Sequence, residues 1–110
     1  AQRYPSLPIS TNVKGVVSLY DVSDDWIPIY DKSDLSGFYM AIGTSGNQFK
    51  NAPVVGVLMS ELIEYCEDGN DHDKKPLSIN LKYINKDINL KFYSRNRKIN
   101  KESSMSVLGW

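Results

Sequence analysis

"GFYMAIGTSGNQFKNAPVVGVLMSELI", residues 37–63, holds the pattern that decides the fold. Phe38–Ile42 is an unbroken apolar run ended by glycine, which predicts a buried strand, parallel or central in its sheet. Beyond the glycines, Val54, Val55, Leu58, Met59, Leu62, Ile63 and Cys66 recur at helical spacing and predict a helix at about 51–66. Pro53 fits only the first turn of that helix, where its missing amide costs nothing, and Gly69 is a C-cap signal. Strand, glycine turn and helix in this order set the turn's amides at a helix N-terminus, where the dipole is positive. Gly43 and Gly46 let the backbone approach a ligand closely, Thr44 and Ser45 add hydroxyls, and the amides near 46–49 would face whatever docks there. A plain, well-capped turn is the competing reading. The spacing matches neither a dinucleotide fingerprint nor a phosphate loop.

Upstream, Pro5 and Pro8 mark residues 1–14 as an extended or looping lead-in. "VVSLYDV" (16–22) has strand composition, and "IPIYD" (27–31) predicts a short strand in which Pro28 argues for an edge or a bulge. Downstream, "EDGNDHDKKP" (67–76) reads as a polar linker. The Asn- and Lys-rich remainder reads as irregular, with one short strand or helical turn near 77–84.

The chain has 110 residues, room for one small domain, and its 41% hydrophobic and 24% charged content is that of a globular sequence. Thirteen basic and thirteen acidic side chains cancel, so no whole-chain field draws nucleic acid or an acidic membrane. Cys66 is the only cysteine, which excludes an intrachain disulfide and fits a reducing, cytoplasmic setting. With one histidine beside it, no structural zinc set can form, and no metal site is expected. No apolar run is long enough to span a membrane. The start "AQRYPSLPIS" lacks an initiator Met and a signal pattern, which suggests a chain cut from something longer.

Several other residues are candidates, some with two readings. Asp21 and "DDW" (24–26) supply carboxylates for acid–base work, or cap a solvated turn. His72, among acids, reads as a solvated surface histidine, and Cys66 as a small hydrophobe on the buried helix face. "SRNRK" (94–98) is a solvated basic face or a phosphate-binding patch. Tyr20 reads as a core tyrosine with its hydroxyl at the rim.

Three segments together resemble the C-terminal part of the D-amino-acid-oxidase-like family of FAD-dependent oxidoreductases, which includes sarcosine oxidase. "GVVSLYDVSDDWIPIYD" (15–31) is similar to the family's glycine–x–tyrosine–x–x–threonine–proline–aspartate segment, with Ser23 and Asp24 where Thr-Pro is usual. Residues 37–63 are similar to the strand, glycine turn and helix that finish its FAD-binding domain, with Asn47 where many relatives carry histidine. "FYSRNRKINKESSMSVLG" (92–109) is similar to a terminal arginine-containing segment of one bacterial branch.

The resemblance implies an α/β (α+β) unit: a partial, Rossmann-like FAD-binding fragment of strand, glycine turn and helix with additional short strands. Residues 1–31 would end a substrate-side region, 37–69 would be the last strand and helix of the FAD-binding domain, and 70–110 a tail. Gly43, Thr44, Ser45, Gly46, Asn47, Gln48, Phe49 and Lys50 would lie at the pyrimidine end of the flavin, with fixed amide dipoles facing the charge that grows there on reduction. Lys50 either reaches toward the flavin or lies along the surface. Tyr20 would position substrate. Some sarcosine oxidases attach flavin through a cysteine two residues before that tyrosine; Ser18 stands there, implying non-covalent FAD. The implied activity is oxidation of a C–N bond in a small amino-acid or secondary-amine substrate. The glycine fingerprint and the ADP-binding strand are missing from these residues, so the expected partners are the remainder of the FAD-binding domain or, failing that, a second copy of the chain. The alternative is a non-catalytic interaction module that keeps only the fold remnant.

Overall fold

The structure is a computed structural model describing residues 3–6, 8, 11, 12, 14–46 and 48–103. It is a mixed α/β unit with one helix and two small antiparallel sheets.

The first hairpin pairs β1 (Ile29–Lys32) with β2 (Tyr39–Ile42), in register Tyr30 opposite Ala41 and Asp31 opposite Met40. The 33–38 loop closes through Ser33 N donating to Phe38 O at 2.8 Å, with Gly37 at φ 74°. The expectation of a parallel, buried strand at 38–42 is therefore corrected. A short loop can join only antiparallel neighbours, since a parallel pair needs a long crossover, and Ala41 and Ile42 are exposed. The segment 16–22, expected as a strand, forms none: Val16, Val17 and Leu19 are 94–98% exposed. Strand composition without a ladder partner does not make a strand, and no described strand runs beside it.

Helix α1 (Ala52–Glu67) falls within a residue of its expected bounds at each end, with Pro53 in its first turn. Val55, Leu58, Met59, Leu62 and Cys66 face the core, whereas Val54 and Ile63, also expected on that face, are exposed. The helix stops where Asp68 N donates to Glu64 O and Gly69 N to Cys66 O, with Gly69 at φ 85°. That is the left-handed C-terminal cap glycine allows.

The second hairpin, β3 (Ser78–Leu81) with β4 (Lys86–Asn89), places Ile79 opposite Ile88 and turns at Asn85, φ 48°. The sequence pointed to a short element here, and β3 occupies it; β4, hidden by its polar composition, was not anticipated. A 3₁₀ turn at Leu90–Tyr93 follows, burying Leu90 and setting the Tyr93 ring 4.9 Å from Tyr30. Leu58, Leu62, Tyr30, Ile79 and Leu90 are the buried apolar core, each contributing about 1.5–3 kcal/mol against exposure. Among the described residues no helix is long and apolar enough to cross a membrane.

Two acidic side chains at the start of this core are not solvated. Asp25 is buried and receives Arg97 Nε at 3.0 Å and Arg97 Nη2. Asp31 is buried too, accepting from Ser94 Oγ at 2.9 Å, Arg95 N at 2.8 Å and Arg95 Nη1 at 3.2 Å. The "SRNR" run is thus a clasp holding the C-terminal segment to β1 and to the turn that precedes it. His72 is also buried, which corrects its surface reading. Its Nδ1 accepts from Leu77 N at 3.2 Å and its Nε2 lies 3.8 Å from Asp31 Oδ1 without a hydrogen bond.

Candidate functional site

The glycine turn leaves β2 through a backbone only glycine adopts without strain. Gly43 and Gly46 have φ of 68° and 70°, and Ser45 between them has φ 52°. A serine in that region costs on the order of 1–2 kcal/mol, so something must hold it. The holder is Asp21. Its carboxylate accepts from Gly43 N at 2.8 Å, from Thr44 N at 3.0 Å and from the Thr44 hydroxyl. Its carbonyl accepts from Ser45 N at 2.9 Å, and Ser45 Oγ donates back to Gly43 O at 3.1 Å. The Thr44 hydroxyl, then the Thr44 amide, hold the Asp21 carboxyl below its usual range. Successive amides in a left-handed turn form a concave anion site, and in this chain the anion is its own side chain.

Among the described residues, neither Gly46 N nor Gln48 N donates to Asp21. The Tyr20 ring covers one side of Gly46, where an added Cβ would meet it at 2.7 Å. Gln48 is fixed through its side chain, whose Oε1 accepts from Tyr30 Oη at 3.1 Å and from Asn51 Nδ2 at 2.7 Å. A 3₁₀ turn at Phe49–Asn51 then leads into α1, so the turn amides of 43–45 are not those of the helix N-terminus. The groove beside this turn has a volume of about 420 Å³ and is walled by Tyr30, Ala41, Thr44, Gly46, Gln48, Phe49, Ala52 and Val55. Apolar walls with a few fixed polar groups are the usual lining of a small-molecule site.

The structure brings together Tyr20, Gly43, Thr44, Ser45, Gly46 and Gln48. Phe49 is 97% exposed at the mouth, and Lys50 is exposed one position further along. Asn47 lies outside the described residues. Tyr20 is not the core tyrosine its composition suggested but a half-exposed ring on the turn. Ser18 sits in the exposed 14–20 segment. Sequence reasoning missed Asp21 as the turn's anchor; the available signal was a carboxylate one residue after the tyrosine of the "SLYD" motif. It also missed the tie from Gln48 to Tyr30, which joins residues 18 positions apart. Comparison with family models found no match, and comparison with curated proteins and with solved structures found none either.

Proposed function

We propose that this chain is the C-terminal part of an FAD-dependent oxidoreductase that oxidises a C–N bond of an amino acid or secondary amine. In this reading it forms the floor at the pyrimidine edge of the flavin. The observation that carries the proposal is the turn itself: a backbone left-handed at Gly43, Ser45 and Gly46 and held by Asp21, with Gly46 and Gln48 lining an apolar groove at the approach to α1. Those residues fit one edge of the cofactor. They do not fit the rest of it, because the sequence carries no phosphate-binding fingerprint.

When bound, the flavin supplies the electron-accepting chemistry. The Gly46–Phe49 backbone would orient its edge and stabilise negative charge there. Tyr20, resting on Gly46, would position substrate, and Lys50 would be a peripheral cation. FAD would bind without a covalent link at Ser18. The exposed apolar run Val16, Val17 and Leu19 supports the presence of covering polypeptide, since such a stretch is a natural contact surface.

A second reading, a non-catalytic interaction module, is favoured by one observation. Asp21 already satisfies the first amides of the turn, so the turn is complete without a ligand. Expression from the complete reading frame around this sequence separates the two. The flavin reading expects a yellow protein whose colour passes through a filter after denaturation. A colourless product unchanged by added FAD refutes it and leaves the module.

A further inference from the structure

We propose that the cavity between the 71–76 turn and the 91–98 segment is a binding site for a phosphate group, free or carried on a small ester. The cavity measures about 250 Å³ and shares no residue with the glycine-turn groove. That volume lies below the usual range for drug-sized ligands, so its occupant is small. His72 and Ser94, both buried, form part of its wall.

The sign of the charge follows from counting partners. The one carboxylate lining the cavity is Asp73, held by Lys32 Nζ at 2.6 Å and Arg95 Nη1 at 2.9 Å; Arg95 is shared with Asp31 and Asp34, so these two cations face three carboxylates. Arg97 is balanced by buried Asp25. Lys91 and Lys98, at the same cavity, take part in no ion pair among the described residues. With Lys91 and Lys98 the surrounding cluster sets five cations against Asp25, Asp31, Asp34 and Asp73, a net positive charge, and it places two ammonium groups without a carboxylate partner at a small cavity, which suits a phosphate.

Directed donors are also at hand. Arg97 has five N–H groups; among the described residues Asp25 Oδ1, Asp25 Oδ2, Ile27 O and Ser94 O take four, leaving one on Nη1. The clasp fixes that guanidinium in place, so little rotamer freedom is lost on binding. Asn96 adds a side-chain amide whose contact to Asp73 Oδ1, at 3.4 Å, is long enough to be exchanged. This assigns a role to the "SRNRK" run that the glycine-turn reading leaves unused.

The test is an amide-resolved NMR titration of the protein with inorganic phosphate, exchanged against chloride at constant ionic strength. Saturable shifts are expected at Ser94–Lys98 and around His72. Replacing both exposed lysines, Lys91→Gln with Lys98→Gln, should weaken binding about tenfold or more. The same charge removed elsewhere, Lys14→Gln with Lys86→Gln, should leave affinity nearly unchanged. Glycerol phosphate run in parallel distinguishes the source: tighter binding than inorganic phosphate marks an ester ligand, and equal or weaker binding marks the free ion. Absent saturation, shifts centred elsewhere, or equal weakening by both lysine pairs would overturn the proposal. None of these outcomes bears on flavin binding.

Discussion

Removing the buried Asp25 carboxylate should destabilise this protein more than removing any exposed acid of the chain. Asp25 is 1% exposed and Arg97 11%, and they join positions 72 residues apart. Besides Arg97, the carboxylate receives Ile27 N at 3.2 Å and Ser23 Oγ at 3.3 Å. In Asp25→Ala, Arg97 keeps its bonds to Ile27 O and Ser94 O but remains a buried cation without its counter-charge. Breaking a buried pair from one side costs about 3–5 kcal/mol, a large share of the roughly 5–15 kcal/mol that holds a domain folded. At about 4 °C per kcal/mol for this chain length, the midpoint should fall by roughly 12–20 °C. Arg97→Ala should cost about as much, and the double variant clearly less than the sum of the two. Urea denaturation followed by far-ultraviolet circular dichroism measures all three. Singles costing under about 1 kcal/mol and adding linearly would show ordinary surface-pair behaviour and refute the clasp. Acid gives an independent check. The Arg97 bond holds the Asp25 carboxyl far below its usual range, so the unfolded chain takes up the proton first. The stabilisation is complete above about pH 4 and declines as pH falls below it.

Three further outcomes are expected. Burial holds the His72 imidazole below its usual range against the opposing pull of Asp31 and Asp73, with Lys32 and Arg95 adding to the depression. Stability should therefore fall as pH drops below about 6.5, where the unfolded state protonates first; urea midpoints across pH 5–7 should flatten in His72→Asn, and an unchanged slope would refute the assignment. Leu62→Ala, at a position with no exposure, should cost about 2.7–5 kcal/mol by denaturant titration, and a loss below 1 kcal/mol would mean that the core is not centred on α1. In the flavin-loaded parent of the proposed reading, Gly46→Val should displace the turn and lower the midpoint potential by about 30–65 mV, the equivalent of one lost charge-assisted bond; full occupancy with an unshifted potential in redox titration would sink the flavin-facing assignment.

Local pattern carried the helix and the turn. The spacing of Leu58, Met59, Leu62 and Cys66 marks one face of α1, and Gly69 its end, because both depend on residues within a few positions. The direction in which β2 pairs is not written in "FYMAI" itself; it follows from the short distance to "IPIYD", and weighing loop length would have found it. Asp25, Asp31 and His72 look like surface residues because each sits in an acid-rich stretch. The two aspartates are buried by Arg97, Arg95 and Ser94, more than 60 positions away, and His72 lies against Asp31, 41 positions away, partners that no local window contains. The β4 strand was hidden for a related reason: Lys86, Asp87 and Asn89 point to solvent and leave only Ile88 to signal a core contact. At the site, Gly43 and Gly46 were legible as left-handed positions, whereas the Tyr20 ring over Gly46 required the fold.

The Asp21 clamp sets a condition on the proposed function. A carboxylate near the pyrimidine edge of a flavin would oppose the negative charge that reduction creates, so on its face Asp21 argues against the reading. Its charge, however, is directed into the amides of Gly43 and Thr44 and the Thr44 hydroxyl, which hold it as an anion. Those donors are therefore not available to a cofactor, and the candidate contacts shrink from the whole 43–50 stretch to the part that begins at Gly46. In exchange the turn is set before any ligand arrives, including the left-handed Ser45 that would otherwise be strained. Dipoles that need no reorganisation at the moment of reaction stabilise developing charge most effectively. The proposed site would thus divide its labour between two halves of one turn: Asp21 and residues 43–45 build the shape, and Gly46, Gln48 and Phe49 at the groove would face the chemistry.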